Sequence, residues 1–240
     1  LFLAAPAISA AQDETETVNK TVSIASGGTL TLKNFSGRVT ITASDRSDVA
    51  IEAVRKAPRE RLNRIKLDIQ TDGRNVTIEA NRRESSWSDD NNNVVETRFD
   101  IQVPRRIDLD VHVFSSPVSI AGVEGAYDIQ SFSGDLTLEG ATGRVKAKTF
   151  SGGIEIACAS SAGSPEIDAN TFSGDIALRV PSSASARIDF DTFSGDLDTT
   201  LPLTLIRKSK RSLQAALNAS GSGPANELKL KTFSGDVRIK

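Results

Sequence analysis

The sequence predicts a mainly β protein, a β-solenoid or β-helix-like stack of short strands, with one short helix and a β-hairpin in its N-terminal half. Three observations carry this prediction. The pair Phe-Ser recurs seven times, and six copies continue with Gly. Copies from Phe114 onward are spaced 18, 18, 22, 21 and 40 residues apart, and such a period is typical of repeat architectures. Hydrophobic and polar residues alternate on both sides of each copy, as in half-buried strands.

Residues 1–12 are interpreted as the remnant of a secretory signal peptide. They are apolar, then small, and the chain turns polar at Asp13. Ser9, Ala10 and Ala11 are small enough for cleavage, which would place the mature protein in the periplasm or on the cell surface. An ordinary buried strand is the alternative. No run approaches the ~18 apolar residues of a membrane-spanning helix, so no transmembrane segment is expected.

Residues 13–103 are predicted to form an N-terminal β region, which holds the outlying copy of the motif at Phe35. Leu62 and Ile65 lie at helical spacing shortly after a proline, which predicts a short helix at about 58–66. A β-hairpin is expected next, with its turn at Asp72-Gly73. Residues 13–240 are expected to form one continuous domain.

Residues 104–240 are predicted to be the solenoid repeats. A unit of about 20 residues with two short strands cannot bury its own apolar face, but stacked units can. The 40-residue step equals two periods, so we expect roughly seven coils here, one of which has lost its motif between Leu205 and Ala219.

Each copy of the motif is predicted to form a sharp turn between two strands. Gly accepts a positive φ, and Asp or Ser can hydrogen-bond to nearby backbone amides. The predicted structural turn residues are Phe132, Gly134, Asp135, Phe150, Gly152, Phe172, Gly174, Asp175, Phe193, Gly195, Asp196, Phe233, Gly235 and Asp236.

Stacked coils would align these residues in rows, and two rows have alternative interpretations. The Asp row is expected to cap turns; calcium binding is the alternative, although calcium takes 6–8 oxygen ligands and each coil offers one Asp. The Phe row is expected to pack in the core or at a corner, because six exposed rings would form a patch larger than soluble monomers usually show. An exposed strip is the alternative, since strict alternation would turn the rings outward.

Charge and composition exclude several classes of function. Lys and Arg number 29 against 31 Asp and Glu, which disfavours a nucleic-acid binder. One Cys and one His exclude an internal disulfide and a typical zinc site, and no metal or cofactor is predicted. A basic cluster is a candidate contact for a polyanion, although a solvated hairpin tip is the favoured interpretation; it comprises Arg207, Lys208, Lys210 and Arg211.

The pattern resembles a known family. Its features are Phe99 to Pro104 (Phe-Asp-Ile-Gln-Val-Pro), Leu109-Asp110-Val111, the repeated Ser-Gly-Asp turns and the closing run from Leu228 to Val237. Over about residues 20–240 these are similar to the DUF4097 family of exported bacterial proteins, whose adhesin label is inferred from architecture. The resemblance implies a repetitive β fold, an exported location and no established enzymatic activity, and it supplies no catalytic residues.

These observations together predict a non-enzymatic exported β-solenoid, an adhesin, scaffold or interaction module at the bacterial cell envelope. Its partner would be an unidentified envelope protein or polymer. The alternatives are a β-helix enzyme that degrades polysaccharides, which would need carboxylates gathered in one groove, and an envelope-stress sensing or assembly module. The solenoid end after Val237-Arg238-Ile239 would be an open edge available for self-association.

Overall fold

The computed structural model describes residues 12–83, 94–160, 166–218 and 226–240. The signal-peptide prediction therefore lies outside the described residues, apart from Gln12. The secondary-structure elements, in chain order, are β1 (Asp13–Ser23), β2 (Thr29–Ser36), β3 (Val39–Ser44), β4 (Asp48–Pro58), α1 (Arg59–Arg64), β5 (Ile65–Thr71), β6 (Asn75–Arg83), β7 (Glu96–Pro104), β8 (Asp108–Ser115), β9 (Val118–Ala121), β10 (Tyr127–Ser133), β11 (Leu136–Ala141), β12 (Val145–Ser151), β13 (Ile154–Cys158), β14 (Ile167–Ser173), β15 (Ile176–Arg179), β16 (Ala186–Ser194), β17 (Leu197–Thr199), β18 (Leu203–Lys208), β19 (Ser212–Leu217), β20 (Asn226–Ser234) and β21 (Val237–Ile239).

The strands form two long sheets around one hydrophobic core. The first sheet has the order β1-β4-β7-β3-β9-β11-β13-β15-β21-β17, and the second has the order β18-β19-β16-β20-β14-β12-β10-β8-β2-β6-β5. Buried side chains from both sheets form one cluster that extends along the chain from Val22 to Ile239. The predicted β-solenoid is confirmed.

Each coil contributes one strand to each sheet, joined by a turn motif. Neighbouring coils pair in parallel and in register, so that Val145 lies opposite Tyr127 on one side and Ile167 on the other. Val145, Ala147 and Thr149 of β12 are buried, whereas the lysines between them are half-exposed. The two-residue period of a strand therefore divides each coil into a core face and a solvent face.

The turns stack so closely that they require glycine. The Gly152 N–H donates to the Ser173 carbonyl at 3.0 Å, and Gly152 has a φ of +143°, in the left-handed region that favours glycine. A Cβ on Gly152 would lie far inside van der Waals contact with the carbonyl oxygen of Gly134 in the coil below. The positive φ and the close approach of a neighbouring carbonyl oxygen recur at Gly134, Gly174, Gly195 and Gly235.

The order of the coils differs from the expectation. The segment expected to hold a coil without its motif forms β18 and β19, an antiparallel hairpin at the end of the second sheet. The C-terminal coil, β20 and β21, lies between the coil of β14 and β15 and the coil of β16 and β17. Residues 104–240 thus supply six parallel coils rather than seven, and the seventh is the N-terminal coil of β2 and β3, which pairs with β8 and β9.

The predicted open edge after Ile239 is wrong. Strand β21 pairs with β15 on one side and β17 on the other, and Val237 and Ile239 are fully buried. The strand has no free backbone edge for a second molecule, because the last coil inserts into the stack instead of extending it.

The predicted helix and hairpin of the N-terminal half are confirmed. Helix α1 is shorter than expected, and Leu62 packs with Ala57, Ile65 and Val95 in a small separate cluster. In the turn between the antiparallel strands β5 and β6, the Asp72 carboxylate accepts the N–H groups of Arg74 and Asn75. The boundary at 103/104 and the single continuous domain remain predictions, and the core that both regions share supports the latter.

No helix in the portions of chain given above has the length and apolar character needed to cross a bilayer.

Two adjacent glycines provide a matched test of the turn stacking. We expect Gly152→Ala to lower the free energy of unfolding by roughly 2–4 kcal/mol, because the new Cβ adds a clash to an unfavourable φ. Gly153→Ala should change it by less than about 0.5 kcal/mol, since the nearest atom to its Cβ lies at 3.6 Å. Urea unfolding of both variants checks this; equal effects would contradict the role of close stacking.

Candidate functional site

A row of seven phenylalanines runs along one edge of the second sheet. Each ring belongs to the Phe-Ser pair that ends a strand of this sheet, and the in-register pairing places the rings above one another. Neighbouring rings are stacked, with centroids 4.6–5.0 Å apart and planes within 14°. The aromatic row, in spatial order, is Phe35, Phe114, Phe132, Phe150, Phe172, Phe233 and Phe193.

The expectation that these rings pack in the core is wrong. Their exposed fractions are 40–52%. The strand alternation continues through the ring, so Thr149 is buried while Phe150 points outward, and the turn begins only after the ring. Stacking hides most of each interior ring's two faces against its neighbours, which reduces the apolar surface that the row exposes.

The aromatic row presents ring edges rather than ring faces. At centroid separations of 4.6–5.0 Å, each interior ring has both faces occupied. The guanidinium of Arg211 lies over the ring of Phe193, the last in the row, at 4.2 Å from its centroid. The row is thus an apolar ridge, roughly 28 Å long at the spacing of stacked strands, with little free ring face on which a sugar could stack.

A row of polar side chains lies beside the aromatic row on the same face of the sheet. These residues precede each Phe by two positions, and strand pairing aligns them: Lys33, His112, Gln130, Lys148, Asn170, Lys231 and Asp191. Two grooves lie between the two rows. One, of about 460 Å³, is lined by Phe35, Phe114 and Phe132, and the other, of about 620 Å³, by Phe172, Phe193 and Phe233.

A third row carries charges of both signs. Asp128, Lys146 and Asp168 occupy paired positions, as the alternation predicts. The Lys146 ammonium donates to the Asp128 carboxylate at 2.6 Å. Partial burial opposes ionisation of Asp128, but hydrogen bonds from Lys146 and Gln130 outweigh it and lower the pKa of this carboxyl group. The row therefore fixes register through local pairing rather than forming a uniformly charged surface.

Three of the repeat aspartates cap the turn of a neighbouring coil. Asp135 accepts the Gly153 N–H at 2.8 Å, Asp175 accepts the Asp236 N–H at 2.9 Å, and Asp236 accepts the Asp196 N–H at 3.1 Å. Among the residues with described positions, no group of three or more His, Cys, Asp or Glu side chains could hold a metal ion. The carboxylates thus satisfy backbone donors, which is the expected capping role.

Asp189 and Glu227 are adjacent acidic side chains on the second sheet. Partial burial and a hydrogen bond with Glu227 raise the pKa of Asp189. Hydrogen bonds with Lys229 and with Asp189 lower the pKa of Glu227, and the Lys229 ammonium lies 2.9 Å from the Glu227 carboxylate. Asp189 therefore holds its proton more tightly than an isolated carboxyl group.

The four residues of the predicted basic cluster lie together at the tip of the β18–β19 hairpin, and all four are exposed. Sequence reasoning missed the two exposed aliphatic side chains beside them, Leu205 and Ile206, with exposed fractions of 54% and 56%. The signal was present, because two consecutive apolar residues in a strand cannot both face the core.

Interior and terminal rings should differ in their contribution to stability. Phe150 contacts a ring on each face, whereas Phe35 contacts one. We expect Phe150→Ala to cost about 3 kcal/mol, from lost burial and two stacked pairs, and Phe35→Ala about 1 kcal/mol less. Urea unfolding measures both; a larger loss for Phe35→Ala would contradict ring stacking as the main stabilising contact.

The pKa shift of Asp189 predicts a pH-dependent stability. Its folded-state pKa lies above the ordinary value of 3.8, so its contribution is fully present below pH 3.8 and is lost as the pH rises through the raised pKa. Asp189→Asn should therefore stabilise the protein at pH 7, by less than about 1 kcal/mol for a partly exposed group, and have less effect at pH 3.5. Urea unfolding at both pH values tests this.

A neighbouring substitution supplies the control for the Asp189 prediction. Asp191→Asn removes an exposed partner of Lys231, 3.5 Å away, and should change stability little or lower it slightly at pH 7. Equal stabilisation by both substitutions would indicate a general charge effect instead of the local environment of Asp189.

Comparisons with known proteins agree with this architecture. The family model for Toastrack DUF4097 matches residues 107–240. A solved structure described as a "putative cell adhesion protein" from Clostridium sporogenes is similar over 95% of this chain and 99% of that chain, at 11% identity and a TM-score of 0.52. A "putative adhesin" from Bacteroides fragilis aligns over 94% and 97% of the two chains, at 12% identity and a TM-score of 0.37. No curated protein matches the chain.

The likeness to the Clostridium sporogenes structure, with its TM-score of 0.52, shows a shared fold. The family match covers more than half of the chain and contains six of the seven parallel coils. This protein belongs to the Toastrack DUF4097 family.

Proposed function

We propose that the protein is a non-enzymatic interaction module, an adhesin or scaffold exported to the bacterial cell envelope, and that the aromatic row is its binding surface. One observation carries the proposal: seven adjacent phenylalanines have exposed fractions of 40–52%. At roughly 200 Å² per ring, the row leaves on the order of 600 Å² of apolar surface in contact with water, which is at the upper limit for monomers and typical of interaction sites.

The shape of the row favours an extended partner of protein chemistry. Ring edges suit aliphatic side chains, whereas a polysaccharide would need free ring faces for stacking. The adjacent polar row offers amide, ammonium and imidazole groups that can hydrogen-bond to an extended backbone. An envelope protein that lays an extended apolar segment along the ridge therefore fits better than a sugar polymer, which remains the other outcome of the test.

The proposal of a non-enzymatic role is supported by the structural contacts that the acidic residues make. Three repeat aspartates are engaged by backbone N–H groups, and Asp128 is paired with Lys146. Groups held in such structural pairs are poorly placed to transfer protons to a substrate. We assign the repeat Gly and Asp residues a structural role, as the turns that space the rings.

Export to the envelope is supported by the sequence of residues 1–12 and by the family. A signal peptide implies transport across the inner membrane. A surface-exposed apolar ridge is also better tolerated where an abundant partner covers it.

The test is binding to fractionated bacterial envelopes. Envelope membranes, the same membranes stripped with protease, and purified peptidoglycan sacculi are each incubated with the protein in 0.5 M salt, which suppresses exposed charge contacts. We expect sedimentation with intact membranes only. The double variant Phe132→Ser/Phe150→Ser should bind at least about tenfold more weakly, since it loses burial of two rings.

Two further variants separate loss of binding from loss of folding. Lys148→Glu alters the polar row without touching a ring and should weaken binding severalfold, whereas Leu205→Ser/Ile206→Ser removes two exposed apolar side chains elsewhere and should bind like the unmodified protein. Thermal unfolding establishes that each variant is folded. Retention on sacculi, or undiminished binding by the folded ring variant, would contradict the proposal.

A further inference from the structure

We propose that the β18–β19 hairpin binds an anionic lipid surface. The hairpin lies at the outer end of the second sheet, beyond the last parallel coil. Residues 203–217 contain four basic residues and no acidic residue, although the whole chain has a net charge of −2. The positive charge is therefore local to this hairpin.

The four cations have no acidic partner among the described residues, and one of them, Arg211, also lies over the ring of Phe193. Arg207, Lys208, Lys210 and Arg211 are exposed, and none forms an ion pair with any acidic residue that the structure places. This contrasts with Arg179 and Arg238, exposed cations of the neighbouring coils that pair with carboxylates. Four adjacent unpaired cations favour an anionic partner.

Two exposed aliphatic side chains lie directly beside the charges. Among the residues that the structure describes, Leu205 and Ile206 are the only exposed large hydrophobic side chains outside the aromatic row. The register of β18 shifts between Leu205 and Arg207, so Ile206 occupies a β-bulge, a device that re-aims a side chain at a sheet edge. An apolar pair next to a basic cluster is the composition of an interfacial membrane contact.

The hairpin presents these groups on an ordered element. The Ser209 N–H donates to the Ser212 carbonyl at 2.8 Å, and the Thr192 N–H donates to the Arg211 carbonyl at 2.9 Å. Leu217 and Ala215 of β19 are fully buried and anchor the hairpin to the core. Little ordering is therefore required when the tip meets a surface, which favours binding.

The two kinds of group together identify the partner. A soluble polyanion would satisfy the four cations but would leave Leu205 and Ile206 in water. An anionic bilayer satisfies both, because its headgroups attract the basic residues while the interface takes up short apolar side chains. The inference does not rest on the aromatic row, and its experiment uses pure lipid, in which no protein partner is present.

The experiment is cosedimentation of the full chain with lipid vesicles in 0.1 M salt. We expect binding to vesicles of phosphatidylglycerol and phosphatidylcholine (30:70), and little binding to phosphatidylcholine alone. Lys208→Glu/Lys210→Glu should weaken binding at least about tenfold, since each basic residue near an anionic membrane contributes about fivefold. Leu205→Ser/Ile206→Ser should weaken it severalfold while leaving its salt dependence unchanged.

Matched controls complete the design. Lys56→Glu/Lys66→Glu makes the same charge change on exposed lysines of β4 and β5 and should retain most of the binding. Phe132→Ser/Phe150→Ser should bind vesicles normally, which separates this surface from the aromatic row. Equal losses in both lysine pairs, no preference for anionic vesicles, or unchanged binding by the Leu205/Ile206 variant would overturn the proposal; the last result would identify a general polyanion site.

Discussion

Close stacking of the Ser-Gly turns holds the coils of the solenoid in register. Four turn glycines, Gly134, Gly152, Gly174 and Gly235, donate their N–H groups to a serine carbonyl of the next coil, and a Cβ on any of them would clash with the neighbouring turn. This contact fixes both the separation and the register of neighbouring coils. Register matters because a slip of one residue would move every core side chain to the solvent face. Glycine at this one position thus protects the buried face of the whole solenoid.

Fixed register also turns single positions of the repeat into continuous surfaces. Phenylalanine before the turn becomes a ridge of stacked rings, and the position two residues earlier becomes a polar row. A row that repeated one charged residue would be destabilised, because like charges directly opposite each other on adjacent strands repel. The third row therefore alternates in sign through Asp128, Lys146 and Asp168, and Asp110, which lies opposite Asp128, pairs with His112 instead. The aromatic row can repeat one residue because stacked rings attract one another.

Local sequence patterns predicted the strands, the turns and the short helix. They did not predict the order of the coils or the exposure of the rings, which depend on contacts between distant parts of the chain. The turns, the short helix and the hairpin at Asp72-Gly73 follow from residue types at fixed spacing. Coil order does not, because the motif at Phe233 carries the same Ser-Gly turn as its neighbours, so the motif alone does not distinguish one level of the stack from another. For the rings, strand parity and the cost of an exposed patch gave opposite predictions. Phe150 follows the strand alternation and points outward. Stacking against the neighbouring rings hides its two faces, and this reduction in exposed apolar surface exists only when the whole row is assembled.

The insertion of the last coil explains why the molecule has a non-repetitive element at one end. Because β20 and β21 return between earlier coils, the segment that precedes them is excluded from the parallel stack. This segment does not need the sequence of the repeat, but it must still cover the apolar end of the core, which Leu217 and Ala215 do.

The inner strand of the hairpin thus caps the core, whereas its outer strand and tip do not. The outer strand is bulged and carries exposed Arg207 and Lys208, features that prevent edge-to-edge pairing with a second sheet. The same charges that keep this edge from aggregating are therefore the ones that we propose contact an anionic surface, and they lie apart from the middle of the aromatic row along the side of the solenoid.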